Sequence, residues 1–167
     1  FFVGYPLAAS EDTLAVYVVT ARHVVAEIEK RSDGHVYCRV NTQQQGEQFI
    51  PIRVADWIFN DDSRVDVAVA PIALNFSVCD HKLLPLEMFI TPEIIARERM
   101  GIGDELFFPG LFSQRPGEKA NLPIVRVGNI AAMPEEAIET QWGVLPPSYL
   151  VEARSLGGLS GSPVFWY

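Results

Sequence analysis

Short runs rich in β-branched and aromatic residues recur along the chain, each closed by a polar turn. This punctuation constrains the fold more than any other feature. The runs fall at 1–5, 14–20, 36–42, 49–58, 65–72, 105–112, 124–133, 149–154 and 162–167. A strand reverses after a handful of residues and needs turn chemistry to do so, so this spacing predicts an all-β barrel or sandwich. Ser32-Asp33-Gly34, Asn60-Asp61-Asp62-Ser63 and Arg115-Pro116-Gly117 supply that chemistry. Val65-Asp66-Val67-Ala68-Val69-Ala70 is nearly all apolar, as a strand covered on both faces would be.

Helical signals are few. Thr91-Pro92-Glu93 places a cap, a first-turn proline and an acidic residue ahead of Ile94-Ile95-Ala96-Arg97-Glu98-Arg99. A short helix there would join two halves, 1–85 and 101–167, through a linker at 86–100. Residues 21–30 are a second helix candidate, which the β-branched Val24 and Val25 disfavour. Residues 134–141 read equally as a helical turn or a long loop. At 167 residues, the chain fits one ordinary domain or two small subdomains sharing a core.

Hydrophobic residues make up 49% of the chain and charged residues 20%, enough apolar surface to bury a real core. The charge balance narrows the partners. Thirteen Lys and Arg face 21 Asp and Glu, a net charge of −8. That argues against nucleic-acid binding, which needs cationic density to displace phosphate counterions. No polybasic patch and no run of about 18 apolar residues marks a membrane segment. Cys38 and Cys79 allow one bridge but make no disulfide framework. Cys79-Asp80-His81 and the pair His35/Cys38 lack the spacing of a zinc site, so no metal is expected. Cys38 reads as a buried strand residue and His81 as a loop residue. Trp57, Trp142 and Trp166 read as core or edge packing, and Glu135, Glu136 and Glu139 as a solvated face. Phe1-Phe2-Val3-Gly4 reads as a strand interior, so a longer natural chain is expected.

Three local signals could carry chemistry. In Val18-Val19-Thr20-Ala21-Arg22-His23 an apolar strand ends in a small polar turn that delivers a histidine. Imidazole titrates near neutrality, so a fixed His23 can take and return a proton; a histidine merely bonded to backbone is the commoner case. Asp66 stands among strand apolars, where a carboxylate needs a partner such as a histidine N–H, unless it faces water at the strand mouth. Asp61 and Asp62 belong to a turn-like cluster and suit turn geometry better. Gly157-Gly158-Leu159-Ser160-Gly161-Ser162-Pro163 surrounds one serine with glycines that let backbone approach a substrate closely. It reads either as a nucleophile with its oxyanion hole or as a plain glycine-rich turn. Ser162 is the competing hydroxyl, but Gly158 centres the motif on Ser160. The α/β-hydrolase elbow is excluded, because Ser162 holds the place of its last glycine and no histidine follows Ser160. A phosphate-binding loop is excluded by the absence of Gly-Lys-Ser/Thr.

The order His23, Asp66, Ser160 resembles the trypsin/chymotrypsin-fold serine peptidases. Thr20-Ala21-Arg22-His23 resembles that family's Thr-Ala-x-His, Asp66-Val67-Ala68-Val69 its Asp-Ile/Val-Ala-Leu/Val, and Gly158-Leu159-Ser160-Gly161-Ser162-Pro163 its Gly-Asn/Asp-Ser-Gly-Gly-Pro. Gly103-Asp104-Glu105-Leu106 is similar to the Gly-Asp-x-Val that opens the second barrel. The resemblance implies two antiparallel β-barrels with the active site in the cleft between them. It also implies a serine endopeptidase acting on polypeptides without a cofactor, with Ser160 as nucleophile, His23 as base and Asp66 orienting it. The N–H groups of Gly158 and Ser160 would form the oxyanion hole. In that geometry His23 meets both partners at about 2.6–3.2 Å. Leu159 and Val24 depart from the digestive enzymes and look nearer to the bacterial, HtrA-like branches. Nine strand candidates stand where two six-stranded barrels need twelve, so the second barrel is expected to be incomplete in this chain, leaving a protease-like binding or sensor module as the other reading.

Overall fold

The computed structural model describes residues 1–7, 14–111, 117–141, 143–154 and 158–167. Strands β1 (Phe2–Pro6) and β2 (Leu14–Thr20) pair antiparallel, and β2 runs directly into helix α1 (Arg22–Glu29). Next come the hairpin strands β3 (His35–Asn41) and β4 (Glu47–Arg53), then β5 (Ile58–Phe59), β6 (Ala68–Pro71) and β7 (Leu83–Pro85). Five of these form one sheet in the order β5-β6-β2-β1-β7, with β3 and β4 as a separate pair. β7 lies parallel to β1, an exception to the all-antiparallel pairing expected.

Alternation along the strands makes the first core. Val16 and Val18 of β2, Ala68 and Ala70 of β6, and Val36 and Ile52 of the hairpin turn inward and meet in one buried cluster. The two alanines are fully buried, and side chains this small leave room above them for the hairpin and for Trp57. Val25 of α1 is 1% exposed, and this burial outweighs the poor helix propensity of the Val24-Val25 pair.

After Pro85 come helix α2 (Pro92–Glu98) and strands β8 (Glu105–Leu111), β9 (Pro123–Ala132), β10 (Ile138–Thr140), β11 (Gly143–Leu145), β12 (Leu150–Ala153) and β13 (Phe165–Trp166). Thr91 caps α2 through its hydroxyl, which accepts from Ile94 N–H at 3.4 Å. A second sheet has the order β12-β9-β8-β13, while β10 and β11 pair on their own. Its core is Leu106, Phe108 and Ile130, backed by Trp166, whose indole donates to Asp104 at 2.9 Å. Asn121 N–H donates to the Asn41 side chain at 2.6 Å, and the Asn41 amide donates back to Asn121 carbonyl at 3.1 Å, stitching the end of β3 to the approach to β9.

Every run expected to form a strand contains one, with two corrections. The run 49–58 is broken by a 3-10 turn at Val54–Asp56, braced by Arg53 donating twice to Asp56 at 2.6 and 2.9 Å. Of 65–72 only Ala68–Pro71 is strand; Asp66 stands at its mouth, half exposed, because the preceding backbone is taken up in a turn. Residues 134–141, open between a helical turn and a long loop, hold no helical turn and form the short strand β10 at Ile138–Thr140. Cys38 and Cys79 are free thiols, and burial raises the pKa of Cys38. Gly157 and Trp142 lie outside the described residues.

Gly128 of β9 makes the second sheet sensitive to one methyl group. A Cβ there would stand 2.4 Å from the Glu152 carbonyl oxygen and 2.9 Å from Ala153 Cβ, both on β12. Gly128→Ala therefore costs about 1–3 kcal/mol through overpacking. The urea midpoint should fall at unchanged slope; an unaltered midpoint would mean that β12 does not lie this close.

Candidate active site

His23 is placed by the passage from β2 into α1. Ala21 occupies the cap position but offers no side-chain acceptor, so the first turn of α1 lacks a local cap. Asp66 supplies one from 43 residues away: its Oδ1 accepts from His23 N–H at 2.9 Å. Its Oδ2 lies 2.6 Å from Nδ1 of the His23 ring. One carboxylate thus caps the helix and fixes the imidazole, and its negative charge suits the positive end of the helix dipole. With Asp66 ionised and the ring neutral, the 2.6 Å contact makes Nδ1 the protonated ring nitrogen and leaves Nε2 as an acceptor. The side chains are 55% and 52% exposed, so water competes for this pair until another surface covers it.

The turn leading to Asp66 is braced from within. Asn60 Oδ1 accepts from Asp62 N–H at 2.9 Å. The Asp62 carboxylate accepts from Arg64 N–H at 3.0 Å and from its guanidinium at 2.7–3.1 Å. Those bonds, led by the Arg64 side chain, hold the Asp62 carboxyl down at about 2. This is the turn role expected of the Asp61-Asp62 cluster. Beside it, Arg22 stacks over Phe59, 5.0 Å from the ring centroid, and donates to Asn60 carbonyl at 3.3 Å.

Ser160 stands exposed in a tight turn, closed by Ser162 N–H donating to Leu159 carbonyl at 2.9 Å. Gly158 and Gly161 flank it with φ of +82° and +78°, left-handed values that favour glycine. Gly161 packs on the end of β2, where a Cβ would fall 2.4 Å from Thr20 Oγ1 and 2.7 Å from Ala21 N. The serine turn is therefore in contact with the segment that delivers His23. Gly110 of β8 receives it from the other side, since a Cβ there would meet Leu159 and Ser162 Oγ at 2.6 Å. An isolated glycine inside a strand run is the sequence signal for such an approach, and it was open to reading at Gly110.

The structure brings His23 and Asp66 together. It does not join Ser160 to His23: among the described residues no hydrogen bond links them. Neither the N–H of Gly158 nor that of Ser160 is taken by an acceptor among the described residues. An apolar cavity of about 390 Å³ opens beside β13 between Leu84, Met88, Ile94 and Val164, and none of the three candidate residues lines it.

No protein-family model and no curated protein matches the chain. Among solved structures, the chain is similar to the crystal structure of Deg5, with a TM-score of 0.60 and 14% sequence identity, over 99% of this chain and 72% of that one. At that identity the likeness speaks for the arrangement of the backbone and not for its chemistry. The strand-rich chain accordingly has an all-β, trypsin-like fold.

Proposed function

We propose that this chain is a serine endopeptidase that hydrolyses polypeptides through Ser160, His23 and Asp66 by way of an acyl-enzyme. The observation that carries the reading is the double attachment of His23 to Asp66, at 2.9 Å through its backbone and 2.6 Å through its ring. A carboxylate on Nδ1 with Nε2 left open is the arrangement that a general-base histidine needs. The contact of Gly161 with Thr20 and Ala21 supports it, because it brings the serine turn to the same strand end.

In this reading Nε2 of His23 accepts the proton of Ser160 Oγ as the oxygen attacks the scissile carbonyl carbon. The N–H groups of Gly158 and Ser160 donate to the oxyanion that forms, each such donor being worth about 3 kcal/mol of barrier. Protonated His23, stabilised by Asp66, then gives its proton to the departing amine. Water repeats the sequence on the acyl-enzyme and frees Ser160. Residues 1–85 and 101–167 contribute the two sides of the site, His23 and Asp66 from one and Ser160 from the other.

A second reading is favoured by one observation, the missing hydrogen bond between Ser160 and His23. In it the chain is a catalytically silent, protease-like module that binds peptides or proteins. Labelling by a fluorophosphonate serine probe separates the two. The peptidase reading expects labelling that is lost in both Ser160→Ala and His23→Ala. A folded wild type that stays unlabelled, yet binds polypeptide equally well with Ser160→Ala, would establish the silent module instead.

A further inference from the structure

Asp66 holds His23 only as well as its own turn is held. The turn spans residues 60–67 between β5 and β6, and the Asp66 side chain is half exposed, so core packing does not hold its carboxylate. The internal bonds from Asp62 N–H to Asn60 and from Arg64 to the Asp62 carboxylate make the turn a stiff unit, but a stiff unit can still swing about its ends. Its far end is tied to the first turn of α1 by Asp66 itself. Its near end is tied to the same helical turn by Arg22, which donates to Asn60 carbonyl at 3.3 Å and lies over Phe59.

The position of this arginine is informative. A cation in the first turn of a helix opposes the helix dipole, and α1 has no acidic residue of its own there. Arg22 is therefore poorly placed for helix stability alone. Phe59, the last residue of β5, gives its guanidinium a ring face, and Asn60 gives it an acceptor. Arg22 and His23 are adjacent, so one helical turn grips the 60–66 turn at its start and finish.

We infer that Arg22 is a positioning residue, pinning the start of the 60–66 turn so that Asp66, at its end, keeps the His23 imidazole in one orientation. The inference deepens the peptidase reading and rests on it for its catalytic consequence. Its direct consequence is the tautomer of the His23 ring, which can be read without any turnover.

The test is the ¹⁵N–¹H correlation spectrum of the ring nitrogens of His23 at a pH where the ring is neutral. In the wild type the proton resides on Nδ1. Arg22→Met keeps the aliphatic stem and removes the cation; the ring should then sample both tautomers, and exchange of the Nδ1 proton with water should quicken about tenfold. Arg22→Lys, which still offers a cation to Phe59 and a donor to Asn60, should keep most of the wild-type pattern. Phe59→Leu removes the ring face with Arg22 in place and should shift the spectrum in the same direction as Arg22→Met, a second route should that variant fold poorly. Unchanged ring signals in folded Arg22→Met or Phe59→Leu overturn the inference. The two proposals fail separately. Altered tautomers in a protein that never takes the serine probe keep the role of Arg22 and remove the peptidase, whereas normal labelling with unaltered tautomers does the reverse.

Discussion

Asp66→Asn is expected to lower acylation of Ser160 by about 10⁴-fold while the fold stands. Both carboxylate oxygens are engaged: Oδ1 by the backbone N–H of His23 and Oδ2 by its ring. An asparagine has one oxygen for those two donors. If that oxygen keeps the helix N–H, the amide NH₂ faces Nδ1, which must then be an acceptor, and the proton moves to Nε2. The ring can no longer take the serine proton, although every heavy atom is close to its wild-type place. Stability changes little, because the helix keeps its acceptor. Asp66→Ala differs on that point: it also uncaps α1, at a cost of about 0.5–2 kcal/mol. The pair is therefore informative when probe-labelling rates and urea midpoints are measured together. Asparagine should lose rate with its midpoint held, and alanine should lose both. An Asp66→Asn variant that labels within tenfold of wild type would remove Asp66 from the role of orienting group.

How far the residues could be read in advance follows from the range of the forces involved. Turn chemistry and apolar alternation are local, so each expected run holds a strand and α2 starts directly after Thr91, its cap. The break inside 49–58 and the shortened strand at Ala68–Pro71 were not legible. They arise where Asp56 and Asp62 bind nearby arginines and where Asp66 reaches across 43 residues, contacts that outweigh the β-propensity of Val54, Val65 and Val67. Helix α1 shows the same competition from the other side. Val24 and Val25 argue against a helix, yet burial of Val25 and the distant cap from Asp66 favour one. β7, β10 and β11 are three-residue strands, too short to leave a periodic trace. In the site, the pairing of His23 with Asp66 could be expected from the order of the motifs. The spacing between His23 and Ser160 could not, because it depends on how one turn seats against the end of β2.

That seat gives the second large effect. Gly161→Ala combines two penalties that can be measured apart. The backbone has φ of +78°, so any side chain there is strained. The added Cβ would also stand 2.4 Å from Thr20 Oγ1, 2.7 Å from Ala21 N and 2.8 Å from Thr20 Cα. The last two are backbone atoms at the junction that delivers His23, and they cannot withdraw without moving the histidine. Left-handed strain costs about 1–2 kcal/mol and overpacking about 1–3 kcal/mol, so roughly 2–5 kcal/mol of stability is at stake. Gly34 supplies the control, since its φ of +92° carries the strain while nothing lies within 4 Å of its Cβ position. Gly34→Ala should lose the strain alone, and the difference between the two urea midpoints measures the contact. The cheapest relief for Gly161→Ala is for the serine turn to lift off β2, which carries Ser160 away from His23. Labelling should therefore vanish at urea concentrations where Gly161→Ala remains folded, while Gly34→Ala labels normally. Equal midpoints with labelling retained would show that the serine turn does not depend on its contact with Thr20 and Ala21, and the seat beside His23 would lose its part in the site.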